Sequence, residues 1–320
     1  MSNIRIVHMS ENKLVNETAI TCLALGNFDG IHVGHQKLIK EAKRISLKRN
    51  SICSIMTFAP HPKAVIGQND NYSNLITPWE TKLDILHELG VEQIFLVEFN
   101  YDFASVLPSD FVSRYINSAN AIDVVIGEDF RYGYRGQGNP STLESDGKLH
   151  GFNVTTIPSL MCGIEKVSSS LIRQLLNKGD VLEVSRLLNR PFQIRGIVVD
   201  GEKRGRQLGY PTANVELSDK YLLPINGVYI VRVIVDSEQL LGVMNIGYKP
   251  TFIEDVIEPT IEIHLLDFNK DIYGNYLSID ILDYIRAETK FDNKDALIEQ
   301  IKQDINVARL VFPKYCELLS

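Results

Sequence analysis

The stretch "LALGNFDGIHVGHQKLIKEAKRI", Leu23 to Ile45, decides how the first half of this chain is read. An apolar run, "ITCLALG", feeds a turn, and a helical pattern begins near His35. Two histidines, His32 and His35, therefore stand where a strand becomes a helix. Phosphate beside such a turn meets unpaired backbone N–H groups and the positive end of the helix dipole. Gly26 and Gly34 remove side chains where backbone must approach a ligand closely. The residues alone leave three readings open: phosphate handling, metal ligation, or two histidines in a surface loop. No third His, Cys or carboxylate stands nearby at zinc-ligand spacing, which weakens the metal reading.

Outward from that turn, strands and helices alternate. "SICSIMTFAP", "EQIFLVEFN", "AIDVVIG" and "GFNVTTIP" read as buried strands. "TPWETKLDILHELG" and "LPSDFVSRYINSAN" read as helices between them, with Thr77 as N-cap, Pro78 at the first helical position and Gly90 closing the first. The pattern predicts a parallel sheet with helices on both faces. The Gly-rich "GYRGQGNPS" reads as a mobile loop over the site. No GxxxxGK[ST] is present, nor a GxGxxG between strand and helix, which excludes the P-loop and the dinucleotide fingerprint.

Beyond a helical stretch, "SSLIRQLLNKGDVLEVSRLLN", the pattern changes to strands joined by loops: "FQIRGIVVDG", "NGVYIVRVIVD", "LLGVMNIG", "PTIEIHLLDF" and "YLSIDILDYI". These predict an antiparallel sheet or small barrel, closed by a terminal helix with Leu297, Ile301, Ala308 and Val311 on one face. The boundary falls near residue 185, giving domains over 1–184 and 185–320. A length of 320 residues agrees with two domains. The net charge of −7 argues against a broad nucleic-acid or membrane-surface footprint. No run is apolar enough to span a bilayer, no signal-peptide pattern opens the chain, and four scattered cysteines predict free thiols. The expectation is a cytoplasmic protein.

The string "GNFDGIHVGH" resembles the HxGH signature of the nucleotidyltransferase superfamily, in the form found in bacterial FAD synthetases. "TFAPHP", "GEDFRYG" and "VSSSLIRQLL" follow in that family's order. The resemblance implies a Rossmann-like sheet that transfers an adenylyl group from ATP to FMN, giving FAD and pyrophosphate. It assigns ATP to Gly26, Asn27, Phe28, Gly34, Ser168 and Ser169, and catalysis to His32, His35 and Arg173. Flavin falls to Phe58, His61, Asp129 and Phe130. Without the family, His61 has no role, and Asp129 and Phe130 read as a turn acid and a core ring.

In the second half, "DGEKRGRQLGYPTANV" sets a Gly- and cation-rich loop before a strand. Thr212 and Asn214, two apart on extended chain, project to one face, and their oxygens suit Mg²⁺. A solvated hairpin loop accounts for the same residues equally well. "RGRQLGYPTANV", "GVYIVRV", "NIGYKPTF", "IEIHLLDFNKDIYG" and "IRAETKF" look like successive motifs of riboflavin kinases. The resemblance implies a small β-barrel that phosphorylates riboflavin. It gives ATP to Gly201, Lys203, Arg204, Gly205, Arg206, Gly209, Thr212 and Asn214, with Thr212 and Asn214 on the metal. It gives riboflavin to Arg286 and Glu288, and makes Glu262 the general base. Asp200 stands where the family carries a His. Together the halves resemble bifunctional riboflavin kinase/FAD synthetases, with riboflavin, FMN and ATP as partners, Mg²⁺ accompanying ATP, and a monomer or weak homo-oligomer. The alternative is an adenylyltransferase whose kinase half only binds flavin.

Overall fold

The computed structural model describes residues 4–11, 13–67, 72–201, 209–250, 257–291 and 293–319. It divides into two compact units, Met1–Leu171 and Ile172–Ser320.

The first unit is built on a six-stranded sheet. Strands β1 (Arg5–Met9), β2 (Thr21–Leu25), β3 (Ile52–Ala59), β4 (Gln93–Glu98), β5 (Ala121–Gly127) and β6 (Asn153–Ile157) run in the order β1-β4-β3-β2-β5-β6. Every pairing is parallel. Residues along β2 alternate between two cores, as the pleat requires. Leu23 and Leu25 join one with Phe95, Phe111 and Tyr115, and Cys22 and Ala24 join the other with Phe28, Ile39 and Leu86. Helix α1 (Val33–Arg49) covers the second face, burying Leu38, Ile39 and Ala42. Its helical spacing is the reason "QKLIKEAKRI" is legible as a helix. Short helices α2 (Pro62–Ile66), α4 (Tyr101–Ala104) and α5 (Pro108–Asp110), and the longer α3 (Trp79–Glu88), fill the crossovers.

Four elements depart from the reading of the sequence. Strand β1, at the sheet edge, had no alternation strong enough to mark it. The expected helix over 107–120 is mostly a π-helix, Phe111–Ile116, closed by Asn117 N–H donating to the Val112 carbonyl five residues back at 3.1 Å. This wider turn lets Phe111, Val112, Tyr115 and Ile116 all face the core. The Gly-rich stretch is a hydrogen-bonded arch leading into α6 (Pro140–His150), whose Asn139 and Thr142 form a capping box. At α3 the N-cap is Pro78, one residue later than expected, and Thr77 N–H donates instead to Asp29 Oδ1.

A two-stranded hairpin, β7 (Met161–Cys162) and β8 (Glu165–Lys166), precedes α7 (Ser169–Lys178) and α8 (Val181–Leu188). Most of α7 and all of α8 belong to the second unit. There β9 (Phe192–Val199), β10 (Ala213–Leu217), β11 (Gly227–Val235), β12 (Glu238–Pro250), β13 (Ile257–Leu265) and β14 (Tyr276–Arg286) close into a barrel, order β10-β13-β12-β11-β14-β9. All six pairings are antiparallel. The alternation is inward Ile261, Ile263, Met244, Ile246 and Ile279, and outward polar positions between them. Closure removes the exposed edges an open sheet would leave. Helix α9 (Lys294–Leu319) lies on the outside, with Ala308, Ile305, Val311 and Phe312 against Ile230, Leu266 and Leu282. Of the expected face, Ala308 and Val311 make this contact, while Leu297 and Ile301 stay half-buried outside it.

Candidate active sites

In the first unit the sheet order reverses between β2 and β5. From β2 the chain crosses to β3 on one side, and β5 lies on the other. Ligands of open α/β sheets occupy the crevice at the carboxyl ends of such strands. A cavity of ≈ 450 Å³ lies here. Its walls include Gly26, Asn27, His35, Phe58, Asp129 and Phe130. Residues far apart in sequence but named together by resemblance thus meet in one place.

The entry turn of α1 is tightly determined. His32 is the N-cap, and its Nδ1 accepts from His35 N–H at 3.3 Å. The two imidazoles stack with centroids 3.7 Å apart. Gly34 makes room for this stack, since a Cβ there would stand 3.1 Å from the His32 ring. Phe28, fully buried with φ +50°, props the His35 ring edge-on at 5.3 Å. The Asn27 carbonyl accepts from Thr57 Oγ1 at 3.0 Å and from Lys82 Nζ at 3.4 Å. Burial, the neighbouring His32, and the cations Lys82 and Lys166 push the His35 pKa well below its ordinary value. His35 is neutral at pH 7. Its Nδ1 is buried and has no hydrogen-bond partner among the described residues.

Ser168 and Ser169 divide two tasks. Ser168 Oγ caps α7 by accepting from Leu171 N–H at 3.2 Å, and Ser169 Oγ donates to the Asp29 carbonyl at 2.8 Å. Arg173, one turn further along α7, is buried. His61 caps α2, its Nδ1 accepting from Lys63 N–H at 3.2 Å, and stacks on Tyr72 at 5.0 Å. Its neighbour Pro62, not His61, lines the cavity.

Sequence reasoning missed several residues here. Asp29 is buried, and its Oδ1 accepts from Ile76 and Thr77 N–H, tying the entry of α3 to the turn. Lys82 is buried on the same stripe of α3 as Leu86, and burial lowers its pKa. A lysine in an apolar helix stripe was the available signal. Arg131 and Arg135 line the cavity from the arch after β5.

In the barrel, register places the candidate kinase residues side by side. Asn214 on β10 pairs with Glu262 on β13, which pairs in turn with Asn245 on β12. Such directly opposed residues hold their Cβ atoms about 4.5–5.5 Å apart on one face. Because Ile261 and Ile263 point inward, Glu262 stands on the outer face, half-buried. Asn245 Nδ2 donates to Glu288 Oε1 at 3.4 Å, extending the row. Asn214 packs onto the Gly201 backbone, where a Cβ would lie 2.0 Å from its amide nitrogen. His264 Nδ1 and the Pro211 carbonyl stand 2.8 Å apart, fixing the chain just before Thr212. Thr212 lines a second cavity, of ≈ 390 Å³, with Val198, Leu265, Phe268 and Tyr273. Gly209, shortly before Thr212, has φ +82°. Lys203, Arg204, Gly205 and Arg206 lie outside the described residues. Arg286 is held by Asp304 of α9, with Nε and NH2 donating at 3.0 and 2.8 Å and NH1 donating to the Ala287 carbonyl. It fastens the terminal helix to the end of β14.

The first unit has the sheet and entry turn of a nucleotide-dependent transferase, and the second is a barrel with a row of amide and carboxylate side chains, Asn214, Glu262, Asn245 and Glu288. Residues 15–171 match the FAD synthetase family and residues 188–312 match the riboflavin kinase family. A bifunctional riboflavin kinase/FMN adenylyltransferase from Bacillus subtilis is 43% identical over 307 residues, covering 95% of this chain and 96% of its own. Its counterpart from Listeria monocytogenes is 37% identical, covering 91% and 92%. The crystal structure of a protein from Streptococcus pneumoniae, described as a macrolide-efflux protein, superposes with TM-score 0.89 at 34% identity, covering 96% and 99%. Among the described residues no helix is long and apolar enough to cross a membrane. The chain belongs to the family of bifunctional riboflavin kinase/FMN adenylyltransferases.

Proposed function

We propose that the barrel phosphorylates riboflavin to FMN with ATP, and that the parallel-sheet unit adenylylates FMN with a second ATP to give FAD and pyrophosphate. The observation that carries this reading is the meeting of His35, Asn27, Phe58 and Phe130 around one cavity at the β2–β5 crevice. There the flavin phosphate oxygen attacks the α-phosphorus, and pyrophosphate leaves. His32 and His35 donate to phosphate oxygens as charge builds, and the N-terminus of α1 adds its dipole. Ser168 and Ser169 complete the ATP site, with Phe58 and Phe130 against the flavin ring and Asp129 hydrogen-bonding it.

In the barrel, Glu262 takes the proton from the riboflavin 5′-hydroxyl as that oxygen attacks the γ-phosphorus. Among the described residues no group of three His, Cys, Asp or Glu is placed to hold a metal. The donors Thr212 and Asn214 are neutral oxygens, which fits Mg²⁺, since it takes few protein ligands beside phosphate and water. Held by Thr212 and Asn214, Mg²⁺ would neutralise phosphate charge. The boundary between the activities lies near residue 185. We further infer a cytoplasmic enzyme, monomer or weak homo-oligomer, without nucleic-acid or membrane partners.

The test is one reaction. Purified protein with riboflavin and Mg-ATP should yield FMN and then FAD on chromatography. An enzyme that makes FAD from added FMN but no FMN from riboflavin has a kinase half that only binds flavin.

A further inference from the structure

We propose that Arg131 and Arg135 bind the phosphate of the flavin nucleotide in the first unit, and so select FMN over unphosphorylated flavin as the acceptor. The inference rests on the reading of the β2–β5 cavity as the FMN site.

The cavity is largely aromatic and aliphatic, including Phe58, Phe99, Phe103, Phe111 and Phe130. Its wall has two permanently cationic side chains, Arg131 and Arg135. His35, on the same wall, is neutral at pH 7. A phosphate monoester brings a charge of roughly −1.5 to −2 at that pH. An apolar cavity accepts such a charge only with fixed positive partners. Guanidinium groups serve best, since their forked donors match phosphate oxygens two at a time.

Both arginines are available for this task. Arg131 NH1 donates to the Phe130 carbonyl at 2.9 Å, and the Arg135 guanidinium lies 5.2 Å from the Tyr134 ring centroid. Among the described residues no ion pair holds either one. The one acid on the wall, Asp129, is paired with Lys166. The arch that carries them is fixed at several points. Tyr132 and Gly138 exchange backbone hydrogen bonds at 2.9 and 3.2 Å, and Tyr134 N–H donates to the Val106 carbonyl at 2.6 Å. Gly133, at φ +70°, lies so close to Pro108 that a Cβ would stand 2.7 Å from its backbone nitrogen. Arg135 itself is held at φ +53°, a conformation costly for a side-chain-bearing residue. Since β2 and β5 are paired neighbours, Gly127 at the end of β5 leads this arch off beside the α1 entry turn. The acceptor phosphate is thereby held on the same crevice as the phosphates of ATP.

The experiment is steady-state FMN adenylylation by the full chain carrying Arg131→Gln, Arg135→Gln, or both. Lumiflavin, which has the ring without ribityl or phosphate and cannot be phosphorylated, serves as competitor against FMN. The expected result is a KM for FMN raised at least tenfold in the double variant. The lumiflavin Ki and the KM for ATP should stay within twofold of wild type. Riboflavin phosphorylation by the same preparation should be unchanged, which reports on folding, and Arg→Lys variants should recover part of the loss. An unchanged KM for FMN, or equal losses for FMN and lumiflavin, overturns the proposal. A raised KM for ATP alone reassigns the arginines to the triphosphate and also overturns it. If lumiflavin does not compete even with wild type, the reading of the cavity as a flavin site fails, and the inference falls with it.

Discussion

The His32 and His35 rings lie 3.7 Å apart and 16° from parallel, while His32 Nδ1 accepts the backbone N–H of His35. An acceptor nitrogen carries no proton, so a neutral His32 has its proton on Nε2. Two imidazolium rings at that distance would repel strongly, so at most one of the pair is charged. The stack therefore presents N–H donors to phosphate with little positive charge of its own. Replacing either ring by Ala should lower FMN adenylylation about 10²–10³-fold, the usual cost of losing a donor to developing charge. Riboflavin phosphorylation, which uses the barrel, should persist. Product chromatography from riboflavin would then show FMN accumulating without FAD.

His35 also ties stability to pH. Its folded pKa is depressed, so the unfolded chain binds the proton first as pH falls below about 6.5. The folded state is then penalised by up to about 1.4 kcal/mol per pH unit until its own, lower pKa is reached. Above about 6.5 the penalty vanishes. His35→Asn should flatten the slope between pH 6.5 and 5, seen as a smaller drop in melting temperature of the first unit than in wild type. Equal slopes would show that His35 is protonated as readily folded as unfolded.

Lys82 bears on both stability and activity. Its ammonium is buried, with the Asn27 carbonyl at 3.4 Å. Lys82→Met keeps the length and apolar stem but removes the cation that faces the buried Asp29 carboxylate, so the melting temperature should fall. The Asn27 carbonyl loses a donor, and the turn that carries His35 loses a brace. FMN adenylylation should fall by about tenfold, as when about 1.4 kcal/mol of transition-state stabilisation is lost. A variant that loses activity only in proportion to its melting temperature would show that the lysine is purely structural.

The barrel has its own brace. Arg286, partly exposed, and the buried Asp304 form an ion pair, with Gln300 Nε2 also donating to Asp304 Oδ1 at 2.9 Å. Asp304→Ala strands the guanidinium and should destabilise the barrel unit by about 3–5 kcal/mol. Asp304→Asn, which keeps a hydrogen-bonding oxygen, should lose less. Chemical unfolding followed by a probe on α9 checks both.

These features differ in how far the sequence reveals them. The continuous apolar run "TCLAL" and the helical spacing of Leu38, Ile39 and Ala42 encode local structure, so the parallel sheet and α1 are legible. The closed barrel is nearly so, because Ile261, Ile263 and their neighbours alternate with polar residues over six strands. Phe111–Ile116 is less so, since apolar residues at one and four apart fit an α- or a π-helix alike. The site residues carry no such period. Lys82 and Arg131 acquire meaning only when crossovers bring α3 and the arch after β5 to the end of β2. Arg286 shows the reverse: its motif points to flavin, while only the fold reveals its bond to Asp304.

Glu262 is where pattern and chemistry part most sharply. Its strand alternates, and the register puts it on the outer face with Asn214 on one side and Asn245 on the other. An outward carboxylate is ordinarily just a solvated one, but here amides flank it on both adjacent strands, and Glu288 follows in the same row. As general base, its loss should act on the transition state. Glu262→Gln keeps shape and hydrogen-bonding reach, so turnover of riboflavin should fall about 10²–10⁴-fold. Riboflavin and ATP affinities should change little, because only the proton acceptor is removed. Thr212→Ala should behave differently, weakening Mg-ATP binding as well as turnover, since it removes a metal oxygen. FMN adenylylation should be untouched by either. Single-turnover phosphorylation at saturating Mg-ATP separates these outcomes, and a Glu262→Gln enzyme within threefold of wild type would return this residue to the solvated outer face.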